Sequence, residues 1–138
     1  MMKNKKLLFC LIFIVVMSFA TLMWYEIDVK LLDLDASQVS EISVFNGNTG
    51  EELSITDSND IEHIINNLNS ISLNRDKISF GYAGYSFDMK IILEGREEAK
   101  NMHCFIINSE DLIRKGLFFY TLGEEKIDYN YIEDLFNQ

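Results

Sequence analysis

The sequence predicts an α+β fold: an N-terminal transmembrane helix, then an antiparallel sheet with about two helices packed on one face. Three observations carry this. Residues 7–24 form an uncharged apolar run. Residues 85–93 alternate apolar and polar side chains and are answered by a second run over 102–107. Ile61, Ile64, Ile65 and Leu68 recur at helical spacing. Hairpin, helix, antiparallel meander and helix, in that order, is the pattern of helices segregated to one side of a sheet.

In residues 7–24 the only polar residues are Ser18 and Thr21. At about 1.5 Å of rise per residue such a run spans roughly 27 Å, close to the ~30 Å of a bilayer core. It shows no polar stripe of the kind a soluble core helix keeps. Lys3, Lys5 and Lys6 precede it, whereas Glu26, Asp28, Asp33 and Asp35 follow it against a single Lys30. The positive-inside rule then makes residues 1–6 a cytoplasmic tip, 7–24 a signal-anchor and the remainder extracytoplasmic, with Trp24 and Tyr25 at the outer headgroups. The competing reading is a secretory signal with Ser18-Phe19-Ala20 as its cleavage site, which would give a secreted domain after cleavage near Ala20. Leu22, Met23 and Trp24 extend the apolar run past that site and favour the uncleaved anchor.

The formal net charge is −10, and all 22 acidic residues follow Trp24. Three of the 12 basic residues lie in the tip, so nine remain beyond the anchor and that part carries −13. Long-range attraction to nucleic acid or to an anionic surface is thereby disfavoured. Cys10 falls in the membrane run, where it reads as apolar filler, and Cys104 in the domain, so no intradomain disulfide is expected. There is no proline, which leaves the turns to glycine, asparagine and aspartate.

Residues 25–40 read as an acidic stalk leading into a domain over 41–138, with Val29, Leu31, Leu32 and Leu34 apolar enough to pack on that domain or extend as a strand. Over 41–57, Ile42 and Val44 alternate before Asn46-Gly47-Asn48-Thr49-Gly50, and Leu53 and Ile55 alternate after it. This is a hairpin whose turn needs those residues. Residues 57–60 open a helix, with Asn59 and Glu62 spaced as a capping box. Residues 71–80 hold one short strand, and 81–85 form a glycine-rich bend carrying tyrosines. Tyr85, Phe87, Met89, Ile91 and Leu93 then make the strongest strand. After a turn over 95–100, pairing Ile91 with Cys104 or Met102 places His103 and Phe105 on the face of Asp88, Lys90 and Ile92. That second face is mixed enough for something to cover part of it. Residues 108–114 are open between a helical turn and a strand, 117–122 form an apolar strand, and Asp128 caps a last helix in which Ile132, Leu135 and Phe136 share a face.

Reactive chemistry is sparse. His103 and Cys104 are adjacent in a strand and point to opposite faces, and His63 reads as a surface histidine. Two histidines and one cysteine at these positions give no zinc spacing. Gly84-Tyr85-Ser86-Phe87-Asp88 departs from a nucleophile elbow at Asp88, where glycine is required. Asp33-Leu34-Asp35 opens like a calcium loop but meets Gln38 at the sixth position and Val44 at the twelfth. No catalytic residue, metal ligand or cofactor site is assigned. One binding candidate remains: Tyr82 and Tyr85 on the bend, with Arg75 and Lys77 upstream, the aromatic-plus-basic mix of an interface anchor. The plainer reading is that these tyrosines cap the sheet and the basic residues keep it soluble.

At Phe45-Asn46-Gly47-Asn48-Thr49-Gly50, Ile55-Thr56-Asp57, 81–85, Phe105-Ile106-Ile107-Asn108 and 127–133, the chain resembles uncharacterised small membrane-anchored or exported α+β domain proteins of low-GC Gram-positive bacteria. The resemblance implies an extracytoplasmic location and brings no activity or site residue with it. The expected function is a single-pass membrane-anchored protein that is not an enzyme. Its acidic domain binds a protein or peptide partner, without nucleic acid. The alternatives are an envelope enzyme or an inhibitor of an envelope hydrolase.

Overall fold

The computed structural model describes residues 2–95 and 102–137. Helix α1 (Met2–Glu26) leads into β1 (Val29–Lys30), a 3-10 turn (Ala36–Gln38), β2 (Val39–Asn46), β3 (Glu52–Ile55) and α2 (Ser58–Ser70). Then follow β4 (Ser72–Ile78), β5 (Phe87–Leu93), β6 (Met102–Ser109), β7 (Leu112–Lys115), β8 (Phe118–Leu122) and α3 (Tyr129–Leu135). The eight strands form one antiparallel sheet in the order β1-β4-β8-β7-β6-β5-β2-β3. The fold is α+β, with three helices among the described residues. Residues 5–25 of α1 are long and apolar enough to cross a membrane, and no part of that stretch is buried in the fold.

The first hairpin follows its alternation: Ile42 pairs with Ile55 and Val44 with Leu53. Its turn is held by Asn46, a buried residue whose Oδ1 accepts from Asn48 N (2.9 Å) and Thr49 N (3.3 Å). Helix α2 is capped by Asp57 rather than by an Asn59–Glu62 box: the Asp57 carboxylate accepts from Asn59 N and Asp60 N. A residue that must keep extended backbone while its oxygen reaches two orphan amides has to stand just before the first turn, and Asp57 does. Ile61, Ile64, Ile65 and Leu68 are buried as their spacing requires, each contributing on the order of 1.5–3 kcal/mol.

Three further sequence expectations change. Residues 29–34 are part of the fold rather than a stalk. Val29 pairs with Leu73, Leu31 N donates to Ile71 O, and Leu31 and Leu32 are buried in the core. A run of leucines gains more from that burial than from extending into water. The β5–β6 register is one residue off the expected one. Ile91 lies opposite His103, Met89 opposite Phe105 and Phe87 opposite Ile107. Phe105 and Ile107 are thereby buried, while Cys104 and Met102 are exposed. Phe105 and Ile107 are the bulkier apolar pair, so the register that buries them wins, and His103 is carried inward with them. Finally, Asp128 stands at the N-cap position of α3 but makes no side-chain cap bond. The expected turn over 95–100 falls largely on 96–101, outside the described residues. The open stretch at 108–114 resolves as the end of β6, a turn at Glu110-Asp111 and strand β7.

Paired residues share a face, so the registers divide the sheet into two sides. The inner face carries Ile42, Val44, Phe87, Met89, Ile91, Phe105, Ile107 and Ile113, which form one core cluster with the buried residues of α2 and with Ile132 and Leu135 of α3. Phe87 also meets Tyr129 at 4.9 Å and Phe136 at 5.8 Å.

Two long connections cross the sheet on opposite faces. Residues 31–38 run from edge strand β1 to β2 on the inner side. They are held where Asn69 exchanges two hydrogen bonds with the Leu34 backbone (3.1 and 2.7 Å) and where Lys115 Nζ donates to Leu31 O at 3.0 Å. Residues 79–86 run from β4 to β5 across the outer side, past β8, β7 and β6. Ser79 N donates to Leu117 O, Arg114 donates to Tyr82 O, Asn108 Nδ2 donates to Gly84 O and Ser86 N donates to Ile107 O. Because Arg114 and Lys115 are neighbours in one strand, they reach the two straps on opposite sides.

Candidate functional site

The four candidate binding residues fall into three places. Arg75 turns to the inner face, where its guanidinium lies 4.0 Å over the Trp24 ring and donates to Trp24 O (2.7 Å) and Ile27 O (3.3 Å). The Trp24 carbonyl belongs to the last turn of α1, where no intrahelical donor is left, and Ile27 follows that turn; a guanidinium satisfies both acceptors and the negative end of the helix dipole. Lys77 and Tyr82 come together on the outer face: the Lys77 ammonium lies 5.5 Å from the Phe119 ring, and Tyr82 meets the same ring edge-on at 5.0 Å. Phe119 is buried there, outside the main core, so Tyr82 roofs a small second apolar cluster. Tyr85 lies further along the strap against Phe45, at 6.3 Å. Gly47 is packed so tightly beneath the strap that an added Cβ would lie 2.6 Å from Tyr85 O.

Beyond the strap the outer face is open. By register it presents Phe45 on β2, Asp88, Lys90 and Ile92 on β5, Met102, Cys104 and Ile106 on β6 and Arg114 on β7. Four of these, Phe45, Ile92, Met102 and Ile106, are apolar, and none belongs to the core cluster that the helices join. A hollow of about 260 Å³ opens among Asp88, Cys104, Ile106 and Arg114. Partial burial, and then the Asp88 charge, push the Cys104 thiol above its ordinary value, with Lys90 opposing. That favours the thiol over the nucleophilic thiolate. Sequence reasoning assigned Ile106 and Cys104 to the core and so missed this surface. The relative bulk of Phe105 and Cys104 was the signal that could have found it.

The groups able to do acid–base chemistry lie elsewhere. His63 Nε2 is 2.9 Å from Asp128 Oδ2, and its ring stacks on Tyr131 at 3.9 Å. Tyr131 donates to Asp60 Oδ1 at 2.6 Å, and that bond, ahead of burial and the surrounding carboxylates, pushes its pKa up to about 12. Asn67 completes the tie, accepting from Asp128 N and donating to Lys126 O. The His63 and Asp128 side chains are 44% and 45% exposed, so water competes for both and the pair holds α3 to α2 rather than lining a cleft. His103, on the inner face, is held below its ordinary value by burial and then by the Lys115 charge, and Lys115 itself is lowered by burial. Ser86, at the near-miss elbow, donates its hydroxyl to Asn108 O. A hollow of about 490 Å³ among Asp35, Ser37, Thr56, Ser58, Glu62 and Glu94 offers carboxylates and hydroxyls, and neither histidine of the chain lines it. The Asp35 carboxylate there is held below its ordinary range by the Ser37 backbone N–H, which it accepts at 2.9 Å. Among the described residues no three His, Cys, Asp or Glu side chains converge as a metal site.

Compared with known protein families, curated proteins and solved structures, the chain finds no significant match.

Proposed function

We propose that this chain is a single-pass membrane-anchored protein with its N-terminus in the cytoplasm. Its extracytoplasmic domain acts by binding a protein or peptide partner, not by catalysis. The observation that carries the reading is the half-covered outer face. A strap bearing Tyr82 and Tyr85 crosses one part of the sheet, and the rest presents Phe45, Ile92, Met102 and Ile106 among Asp88, Lys90 and Arg114. Apolar area interspersed with charges and bordered by tyrosines is the make-up of a protein-recognition patch. Both helices, in this reading, cover the inner face and leave the outer one free for the partner. The orientation is supported by Lys3, Lys5 and Lys6 before the apolar run and by all 22 acids after it.

Site-specific photo-crosslinking in cells tests the assignment. A benzophenone side chain at Ile106 is expected to give a discrete adduct that a probe at Asn66, on the exposed side of α2, does not give. The adduct should weaken when Tyr82 and Tyr85 are both replaced by serine. Equal labelling at Ile106 and Asn66, or an adduct indifferent to the tyrosines, removes this surface as the binding site.

A further inference from the structure

We propose that one end of the domain seats on the same bilayer that α1 crosses, with Ile78, Phe80 and Leu117 entering the boundary between headgroups and acyl chains. This rests on the membrane reading of α1 and is independent of partner binding.

The three side chains are 66%, 91% and 67% exposed, unusual for large apolar residues beyond the anchor. They belong to one tip. Ile78 pairs with Phe118, and Ser79 N donates to Leu117 O at 2.9 Å, which joins the end of β4 to the β7–β8 turn. That tip adjoins the place where α1 ends. Trp24 meets Phe118 edge-on at 5.9 Å, and the Tyr25 hydroxyl reaches Asp76 O at 3.5 Å. Strand direction aims the tip at the membrane. β1 leaves α1 and runs antiparallel to β4, with Val29 opposite Leu73. β4 therefore runs back toward the helix, first to Arg75 beside Ile27 and Trp24, then to Asp76 beside Tyr25. Ile78 and Phe80 come next, at and past the level of the indole that marks the headgroup belt.

Charge is distributed to match. The domain as a whole is strongly acidic, yet residues 75–86 and 112–122 contain Arg75, Lys77, Arg114 and Lys115 against Asp76 alone, a local +3. Arg75, Arg114 and Lys115 are engaged with backbone carbonyls; the Lys77 ammonium lies 3.9 Å from the Asp76 carboxylate, but its side chain is 67% exposed and can meet lipid phosphates. Apolar side chains flanked by basic ones, continuous with a lipid-facing helix, fit a bilayer surface better than a second copy of a chain this acidic. Glu26 and Asp28, at and just past the end of α1, and Asp76 in β4 lie close to the tip. Most of the 22 acids lie outside these stretches and are screened beyond about 10 Å, so the net charge beyond the anchor does not oppose the seat.

The test uses the full chain with Cys10→Ala and Cys104→Ser. A single cysteine is introduced by Phe80→Cys, Leu117→Cys or, on the edge strand β3, Ser54→Cys. Each is labelled with an environment-sensitive fluorophore and reconstituted in phosphatidylcholine–phosphatidylglycerol vesicles, its fold checked by circular dichroism. Nitroxide-bearing lipids should quench the probes at 80 and 117 several-fold more than the probe at 54. Equal quenching at the three sites overturns the seat. So does a blue-shifted but unquenched signal at 80 and 117, which would mean that protein covers the tip. Trp24, the single tryptophan, separates the failures. If Trp24 is quenched while 80 and 117 are not, the seat alone fails. If Trp24 is also unquenched, the membrane reading of α1 fails with it.

Discussion

Gly47 shows how one residue can answer two demands. The first is local: the turn after β2 suits small and polar residues, and Asn46, Asn48, Thr49 and Gly50 satisfy it by turn chemistry. The second is spatial and comes from Tyr85, 38 positions on, whose carbonyl leaves no room for a Cβ. Gly47→Ala is therefore expected to cost about 1–3 kcal/mol by forcing the strap off the sheet edge. Denaturant melts check this, and a change under ~0.5 kcal/mol would mean that the strap shifts freely. Asp128 teaches the same lesson from the other side. Its place before an apolar-periodic run marks an N-cap in the sequence, but its carboxylate is taken by His63, which no local pattern reveals. Tyr82 was legible as an exposed aromatic with basic residues upstream of it, whereas Tyr85, half-buried against Phe45, was not legible as such. That Arg75 departs to cap α1 was not, because its partners lie about 50 positions away.

Among the elements, α2 was the most legible, since four apolar residues at helical spacing admit one buried stripe. Strand β6 was the least certain in orientation. Alternation identifies a strand whichever face is buried, and Met102-His103-Cys104-Phe105 offers a plausible core residue on either side. The structure chooses Phe105. Phe105→Ala should then cost about 3–5 kcal/mol, and Cys104→Ala no more than about 0.5 kcal/mol. Reversal of that order would restore the other register. The same choice predicts a pH effect. His103 is held below its ordinary value in the fold, so the unfolded chain takes up a proton more readily as pH falls past 6.5. Stability is accordingly full above that value and declines below it. Urea midpoints measured between about pH 7.5 and 5 should fall, and His103→Gln should remove that share of the slope. The straps had no periodic signature. The glycine-rich bend was visible as a bend, but its path over three strands is set by strand order, which composition does not encode.

For the whole molecule, the sequence separates a basic tip, an apolar run and an acidic domain, and the structure adds which end of that domain adjoins the apolar helix. Location is open to a direct chemical check through Cys104, which is exposed on the outer face. A membrane-impermeant maleimide applied to intact cells should label it. Labelling should be slow near neutral pH and faster toward pH ~9, because burial and Asp88 hold the thiol protonated. Labelling only after lysis would put the domain on the cytoplasmic side.

The strand order also sets a timetable for making the protein. β4 finds its neighbours in β1, made before it, and in β8, the last strand, so Leu73 waits for Leu122. A nascent chain can close β2, β3, β5, β6 and β7 as they emerge, while β1 and β4 stay a narrow ribbon beside α1 with one long edge unpaired. Such an edge invites mispairing, and pairings this distant in sequence form slowly. The domain therefore stays vulnerable through most of its synthesis and locks only when residues 118–122 slot between β7 and β4.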